Sequence, residues 1–181
     1  MDINIHKLST RFYQNYPHEE YPELLTKQER PYCCLTFYDE RGFYICIPYR
    51  SNVAQPNNAY MLRTRRNSTR QNPGLDYSKI VIIKEESYID DAIAVIDTDN
   101  YVNTVTHIER IKNDALSYVD TYINHHRGVN VLSERHYMRK YRYSSLQYFH
   151  NELGIWKNGR NPLPVFLLPE NLAYWFCKYK K

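Results

Sequence analysis

The spacing of the apolar residues changes near Tyr101, and this change restricts the folds that the chain can adopt. Before it, short β-rich runs are separated by turn residues, a pattern typical of strands. After it, apolar residues recur every three or four positions as far as Gly128, which predicts an amphipathic helix of about two dozen residues. The residues of this stripe are Val105, Ile108, Ile111, Ala115, Val119 and Ile123. Several strands followed by helices indicate an α+β fold.

The predicted strands are short, and one pair is especially clear. Tyr32–Tyr38 and Phe43–Tyr49 are joined by Asp39-Glu40-Arg41-Gly42, which has the composition of a hairpin turn. Ile3, Ile5 and Leu8 indicate a first strand before this hairpin. Three further strands are expected after it, at Asn58–Leu62, Lys79–Lys84 and Ala92–Ile96. We expect the strands to form a twisted antiparallel sheet.

Additional C-terminal helices are expected behind the long helix. A shorter helix is predicted at Ser133–Arg142, and Ser144-Ser145-Leu146-Gln147 has capping-box spacing for another that ends at Gly154. The sequence contains no internal repeat and no interdomain linker. The chain is therefore expected to form a single domain over residues 1–181, with the sheet backed by helices.

The charged residues are segregated along the chain. Lys and Arg number 24 and Asp and Glu 20, so the formal net charge is +4. Residues 41–84 are almost purely basic until Asp76, whereas acids gather in Glu19–Glu40 and Glu85–Asp99. Such segregation predicts a positive face that attracts nucleic acid, acidic proteins or anionic membranes. The 19 tyrosines favour RNA among these, because rings stack on bases, although a tyrosine-rich core accounts for some of them.

Several classes of protein are disfavoured by the sequence. The four cysteines (Cys33, Cys34, Cys46 and Cys177) lack metal-ligand spacing. No secretory signal begins the sequence and no apolar run is long enough to span a bilayer, so we expect a reduced, soluble, cytoplasmic protein without a membrane partner. The absence of a Walker loop, a dinucleotide fingerprint, a zinc quartet and a carboxylate cluster argues against NTPases, dehydrogenases and two-metal nucleases. We expect neither a metal nor a cofactor.

The main candidate site lies where an apolar strand ends at Arg50 and Ser51. Arginine binds a phosphate through two hydrogen bonds and serine can add a third. The alternative is a turn in which Ser51 and Asn52 bond to the local backbone. Lys79 is assigned to stabilise the negative charge of a pentavalent phosphorane. Its alternative is a surface ion pair with Asp76.

Residues suited to contact RNA surround this site. Asn57 and Asn58 either read a base edge or hold a loop. Arg135, Arg139 and Arg142 share one helix face, which is either a solvated face or a groove for the RNA backbone. The expected RNA-binding residues are arginines, amides and tyrosines: Tyr49, Asn52, Asn57, Asn58, Arg63, Arg65, Arg66, Arg70, Tyr77, Arg135, Arg139, Arg142 and Tyr143.

Four segments together form a distinctive combination. They are IPYRSNV at Ile47–Val53, the Asn-Ala-Tyr strand at Asn58–Tyr60, NPGLDYSKIVII at Asn72–Ile83, and YSSLQYFHNELG at Tyr143–Gly154. In this combination the chain resembles the CptN/TenpN branch of the type III toxin–antitoxin toxins, relatives of ToxN and AbiQ. The resemblance covers nearly the whole chain, and the PYRS and GLDYSK blocks are its most specific parts.

The resemblance implies a metal-independent endoribonuclease on a compact twisted antiparallel sheet, similar to the barrel core of the Kid/MazF toxins, with added helices. Such toxins leave a 2′,3′-cyclic phosphate and process their own repeat-containing antitoxin RNA. Each repeat folds as a pseudoknot that stays bound and blocks the active site, and protein and RNA alternate in a closed ring. The implied partners are therefore antitoxin RNA and target RNA, in plasmid or locus maintenance and in phage defence.

The catalytic residues of the family transfer only in part. In the ToxN branch, the loop after the strand-end proline has a hydroxyl pair, followed two residues on by a lysine. Here Arg50-Ser51 occupies the place of the pair, and Val53 stands where the lysine would be. Lys79 is the expected replacement. Arg50, Ser51 and Lys79 are thus expected to bind the phosphate while the ribose 2′-hydroxyl attacks the adjacent phosphorus.

The sequence leaves two questions open. Asp76, Tyr32 and His6 are alternative proton acceptors or positioning groups, and nothing in the sequence chooses among them. The rival to an enzyme is a non-catalytic RNA-binding domain, such as a regulator or a ribosome-associated factor. The same basic, aromatic surface would serve it without a reactive Lys79.

Overall fold

Six strands form one open antiparallel sheet in the computed structural model, which describes residues 4–25, 33–63, 72–92 and 94–155. The strands are β1 (Asn4–Lys7), β2 (Cys33–Asp39), β3 (Phe43–Arg50), β4 (Ala59–Met61), β5 (Gly74–Asp76) and β6 (Val81–Ile83). Their order is β1-β2-β3-β5-β4, and β6 also pairs with β3. The predicted α+β class with an antiparallel sheet is confirmed.

The hairpin between β2 and β3 is formed by local interactions. The Asp39 carboxylate accepts a hydrogen bond from the Arg41 backbone N–H at 2.9 Å, and the Gly42 N–H donates to the Asp39 carbonyl at 3.0 Å. Gly42 has φ 89°, a conformation that glycine adopts without strain. The hairpin predicted from this turn is therefore confirmed.

The long strand β3 brings the candidate site together. Its first half pairs with β6, whereas Tyr49 and Arg50 at its end pair with Leu75 and Gly74 of β5. A single 3₁₀ turn, Tyr77–Lys79, connects β5 to β6. Because both neighbours of this turn pair with β3, Arg50 lies beside the chain segment that contains Asp76 and Lys79.

Four α-helices accompany the sheet within the described residues: α1 (Thr10–Asn15), α2 (Thr98–Thr106), α3 (Ile108–His126) and α4 (Glu134–Tyr141). The second and third lie against one face of the sheet, where the Tyr49 hydroxyl donates to Thr104 Oγ1 at 3.0 Å. Buried side chains of α3 keep a three- and four-residue spacing toward the core: Ile111, Ala115, Tyr118, Val119, Tyr122 and Ile123. In the described part of the chain, no helix is both long and apolar enough to cross a membrane.

The segment predicted as one long helix is divided at His107. This residue has φ −117° and ψ 20° and separates α2 from α3. Near the end of α2, the hydroxyls of Thr104 and Thr106 donate to carbonyl oxygens four residues earlier, both at 2.8 Å. Such bonds favour bending of a helix, and His107 lies directly after them. The prediction of one continuous helix was wrong at this position.

The predicted helix after Ser144 is a 3₁₀ turn instead. The turn covers Ser145–Tyr148 and is followed by hydrogen-bonded turns as far as Gly154, which has φ 62°. The Ser144 side chain accepts from the N–H of Leu146, two residues on, whereas a capping box uses the N–H three residues on. The spacing in the sequence therefore marked the start of a turn rather than of an α-helix.

Two strand predictions also differ from the structure. The described residues of Ala92–Ile96 lie outside any strand, although the Ala94 N–H donates to the carbonyl of Ile5 in β1 at 3.0 Å. Lys79 belongs to the 3₁₀ turn and not to the strand that was expected to begin with it, because β6 starts at Val81. Asp76 caps that turn by accepting from the Ser78 N–H, which draws the chain out of the sheet.

Candidate functional site

Arg50 and Asp76 form an ion pair at the end of β3. Arg50 Nη1 lies 3.2 Å from Asp76 Oδ2, and the side chains are 25% and 2% exposed. The other carboxylate oxygen, Oδ1, accepts from the N–H and from the hydroxyl of Ser78, at 3.0 and 2.6 Å. A buried carboxylate requires such compensation. The pair therefore fixes the guanidinium at the end of β3.

The neighbours of Arg50 differ in exposure. Ser51 is exposed directly beside it, and Asn52 forms an isolated parallel bridge with Asn72. Val53, at the position where the resemblance implies a lysine, is buried, and its N–H donates to the Asn72 carbonyl at 2.8 Å. An apolar side chain thus closes the core at this position, and no ammonium group is present there.

Lys79 is held by two acceptors other than Asp76. Its ammonium forms an ion pair with Glu23 and donates to the Tyr143 carbonyl at 2.9 Å. The Lys79 and Glu23 side chains are 13% and 22% exposed. The surface ion pair with Asp76 that the sequence offered as an alternative is replaced by this one. Glu23 therefore balances the charge of Lys79 within the protein itself.

The turn that contains Lys79 is attached to the chain after α4. The Ser145 hydroxyl lies within hydrogen-bonding distance of two carbonyl oxygens, those of Ser78 at 3.3 Å and Ile80 at 2.5 Å. Ser145 is completely buried. The sequence indicated only a capping role for this serine, whereas in the structure its hydroxyl attaches the turn that contains Lys79 to the chain after α4.

We call the end of β3 and the turn after β5, with Arg50, Ser51, Asp76 and Lys79, the rim. A cleft of about 690 Å³ lies near it, between the loop that precedes β4 and helix α4. We call it the α4 cleft. Of the three arginines predicted to share a helix face, only Arg139 lines it; His136 and Lys140 complete that face at three- and four-residue steps. Amide, apolar and basic side chains form its walls: Ala54, Gln55, Pro56, Asn57, Asn58, Thr121, Leu132, His136, Arg139 and Lys140.

Lys140 is a functional candidate that the sequence analysis did not assign. Its ammonium lies 5.3 Å from the ring centroid of Tyr118 and 5.4 Å from that of Tyr141. Burial lowers the pKa of Lys140. The Lys140 carbonyl accepts from the Tyr118 hydroxyl at 3.1 Å. The feature of the sequence that could have indicated it is its position in the predicted helix, directly after Arg139 and before Tyr141.

The two asparagines of the loop have different environments. Asn58 is buried, and its Nδ2 donates to Gln55 Oε1 at 2.8 Å and to the Lys140 carbonyl at 3.1 Å. It therefore holds the loop against α4, one of its two predicted roles. Asn57 is exposed at the cleft, where its amide can meet a ligand.

The predicted tyrosine contacts fall into two groups. The Tyr77 ring is buried, and its hydroxyl donates to the Ile111 carbonyl at 3.4 Å, so a base has no access to the ring face. The Tyr49 hydroxyl donates a hydrogen bond to Thr104 Oγ1, and burial raises the pKa of Tyr49 to about 12. Tyr143, in contrast, is exposed, and the Arg142 guanidinium lies 5.1 Å from its ring centroid. Of the three tyrosines predicted to contact RNA, only Tyr143, together with Arg142, offers a well-exposed stacking surface to solvent.

His6 lies away from the rim. His6 lies on β1 and pairs with Cys34 of β2. Two strands, β2 and β3, separate β1 from β5, so His6 lies about 14 Å from Asp76 at ordinary strand spacing. Burial lowers the pKa of His6 below its ordinary value, and the nearby Asp91 and Asp90 offset part of this shift. The structure therefore does not bring these two proton-acceptor candidates together.

The remaining predicted residues are either exposed arginines or lie outside the described residues. Arg63 is exposed after β4, and Arg135 is exposed on α4 outside the cleft lining. Tyr32, Arg65, Arg66 and Arg70 lie outside the described residues. Among residues 4–25, 33–63, 72–92 and 94–155, no group of three or more His, Cys, Asp or Glu side chains could hold a metal ion. Comparisons with protein-family models, with curated proteins and with solved structures found no match.

Proposed function

We propose that the chain is an endoribonuclease toxin of a type III toxin–antitoxin system, which cleaves RNA in a sequence-specific, metal-independent reaction and leaves a 2′,3′-cyclic phosphate. The resemblance of the PYRS and GLDYSK blocks supports the proposal. The observation that supports it most strongly is the fixed Arg50 guanidinium at the end of β3, with the exposed Ser51 hydroxyl beside it. Both groups are donors for the oxygens of a phosphodiester.

The arrangement suits transesterification. The RNA supplies its own nucleophile, the 2′-hydroxyl, so the protein must orient the ribose and stabilise the additional negative charge on phosphorus. A guanidinium has five N–H donors in a planar fork, and the bond to Asp76 uses only one of its nitrogens. Its remaining donors and the Ser51 hydroxyl bind the phosphate in this proposal. DNA, which lacks the 2′-hydroxyl, binds without being cut.

Lys79 and the proton acceptor have narrower roles. The Lys79 ammonium is held in a fixed position by Glu23, which balances its charge, and by the Tyr143 carbonyl, and in this proposal it acts as a local donor to the phosphate. Asp76, Tyr32 and His6 remain the candidate acceptors for the 2′-hydroxyl proton. Of the two that the structure describes, only Asp76 contacts Arg50.

The proposal includes the biological setting that the resemblance implies. In this proposal the sheet is the counterpart of the Kid/MazF-like barrel core, with α3 and α4 as added helices. Antitoxin RNA, processed from repeats into pseudoknots, binds across the rim and the α4 cleft and inhibits the toxin in a closed protein–RNA ring in the cytoplasm. Arg63, Arg65, Arg66, Arg70 and the exposed Arg142–Tyr143 pair contact this RNA.

The direct test is the chemistry of the product ends. RNA incubated with the protein in the presence of a chelator should be cut, and the new 3′ ends should be 2′,3′-cyclic phosphates. Ser51→Ala and Lys79→Ala should abolish cleavage while retaining antitoxin RNA. Glu23→Gln is the matched control, because it removes the partner of Lys79 but keeps the ammonium. If Glu23→Gln and Lys79→Ala lose cleavage equally, Lys79 acts only by supporting the fold.

One observation favours the rival function, a non-catalytic RNA-binding domain. Lys79 is already engaged by Glu23 and by a backbone carbonyl, which is the environment of a structural lysine. A binder would co-purify with RNA, seen as a raised 260/280 nm absorbance ratio, but would leave every RNA intact. An endoribonuclease co-purifies with RNA and also generates cyclic phosphate ends.

A further inference from the structure

The α4 cleft contains positive charge that no acid among the described residues compensates. In the described part of the chain, neither Arg139 nor Lys140 forms an ion pair, and no carboxylate lines the cleft. The Lys140 ammonium is partly desolvated against the rings of Tyr118 and Tyr141. A partly desolvated cation gains more from an incoming anion than a fully solvated one does. The cleft is therefore prepared for an anionic ligand.

The wall opposite α4 is made of amides, and we call Gln55–Asn58 the amide wall. Asn58 donates to Gln55 Oε1, which fixes the Gln55 side chain and leaves its NH₂ group as a donor. Asn57 adds a second, exposed amide. Side-chain amides match the paired donors and acceptors on base edges. Pro56 and Leu132 add apolar surface to the same cleft.

We propose that the α4 cleft is a subsite for one unpaired nucleotide of RNA. The base lies along the amide wall, and the adjoining phosphate lies between Arg139 and Lys140. The volume of about 690 Å³ is within the range of small-ligand pockets. A base in a duplex cannot enter such a concavity, because its edge is paired and its faces are stacked. An acidic peptide is the alternative ligand for these cations and amides, and the discrimination among bases in the binding test separates it from RNA.

This inference extends the proposed function and rests on one part of it, that RNA is the ligand. It does not depend on the chemistry at Arg50. It adds the substrate class: RNA in which a nucleotide near the bound phosphodiester is unpaired, as in a loop or a junction. The subsite would then select substrates by the presence of a flipped-out or single-stranded base.

The test measures binding separately from cleavage. The probe is a fluorescent 2′-O-methyl oligoribonucleotide of about 12 nucleotides, within the span that one small domain covers. The methyl group removes the nucleophile, so the probe cannot be cut. Arg139→Gln should raise Kd about tenfold and lower the salt slope of log K by about 0.7, the loss of one single-strand phosphate contact. Lys84→Gln is the control, an exposed cation after β6 that lies outside the cleft and has no assigned role, and should change Kd less than about twofold.

A second arm tests the amide wall. The parent protein should bind the single-stranded probe more tightly than the same sequence in a duplex, and should discriminate among adenine, cytosine and uracil homopolymers. Asn57→Ala should reduce that discrimination while keeping the salt slope, because it removes an amide and no charge. Both asparagine and arginine variants alter exposed side chains, and their unfolding midpoints should equal that of the parent.

The outcomes separate this inference from the proposed function. If Lys84→Gln and Arg139→Gln weaken binding equally, or if duplex RNA binds as tightly as single-stranded RNA, the subsite does not exist, whatever the protein cleaves. If Arg139→Gln alone weakens binding but no RNA is ever cut, the subsite stands and the endoribonuclease proposal fails. Equal binding of all three homopolymers by the parent would also overturn the role of the amide wall.

Discussion

The sheet rim and the α4 cleft both present cations, but they balance them differently. At the rim, Arg50 is paired with Asp76 and Lys79 with Glu23, and the acids are mostly buried. In the cleft, Arg139 and Lys140 have no acidic partner among the described residues. The rim therefore supplies fixed geometry, and the cleft supplies unneutralised charge.

This difference suggests a division of labour. Internal ion pairs hold a side chain in one orientation, which a reacting phosphate requires. They also reduce the field that a distant polyanion experiences. Cations without partners release counterions from RNA and provide affinity that depends on salt. We infer that the rim performs the chemistry and the cleft retains the RNA.

The largest effect is expected from Asp76→Ala. This change should lower the free energy of unfolding by about 3–5 kcal/mol, because it breaks a buried pair and leaves the Ser78 N–H without its acceptor. Urea denaturation monitored by circular dichroism measures it. Asp114→Ala is the control, since its surface pair with Arg110 at 3.6 Å should contribute less than about 0.5 kcal/mol. Equal costs for the two variants would remove the distinction between rim and surface.

The next effect concerns Gly74, which pairs with Arg50. A Cβ atom there would lie 2.7 Å from the Tyr60 carbonyl oxygen and 3.0 Å from Val53 Cγ2. The carbonyl cannot retreat without opening the β4–β5 pairing, so Gly74→Ala should cost about 2–3 kcal/mol. Gly128→Ala, in open space at φ +73°, should cost only about 1 kcal/mol. If Gly74→Ala is the milder of the two in thermal unfolding, the rim is less tightly packed than the structure indicates.

The free energy of unfolding should depend on pH through His126, which contacts α4. Burial, with His150 and His125 nearby, lowers the pKa of His126 to about 4, and its Nε2 lies 3.1 Å from the Tyr137 hydroxyl of α4. The unfolded chain takes up this proton near pH 6.5 and the folded protein only near pH 4, so stability should fall as the pH drops between these values.

The expected loss is about 1–2 kcal/mol, after allowance for the partial exposure of His126. Unfolding free energies measured from pH 7 to pH 4 should therefore decline less steeply for His126→Gln, which keeps a polar group near Tyr137. Parallel curves for the variant and the parent would show that His126 does not couple α4 to pH.

The smallest effect is expected from Glu23→Gln. The pair with Lys79 is partly exposed, and the Tyr143 carbonyl remains as an acceptor, so the cost should be about 1 kcal/mol. Chemical denaturation at low and high salt measures it, and the difference from the parent should shrink as salt rises. A loss as large as that of Asp76→Ala would place Lys79 among the main supports of the fold.

The parts of the fold that depend on neighbouring residues could be predicted from the sequence. The β2–β3 hairpin follows from Asp39 and Gly42, and the start of α4 from Ser133, whose hydroxyl accepts from the His136 N–H. The break at His107 was missed, because the apolar period continues across it while the threonine hydroxyls act on the backbone.

Residues of the candidate site could be predicted from the sequence, but the partners of their side chains could not. Arg50 and Asp76 were both selected, but their pairing depends on the register between β3 and β5. The partner of Lys79 is Glu23, 56 residues away, which no local pattern indicates. Lys140 contacts the Tyr118 ring and the Asn58 amide, which belong to other segments of the chain. Its sequence neighbours alone therefore do not identify it as a site residue.

Single-turnover cleavage measured together with binding tests the division of labour most directly. With RNA in excess of Kd, Ser51→Ala should reduce the rate constant at least about a hundredfold and leave Kd unchanged. Arg139→Gln should raise Kd about tenfold and leave the rate constant at saturation unchanged. A parent protein that generates no cyclic phosphate ends, or two variants that alter rate and affinity alike, would contradict the account.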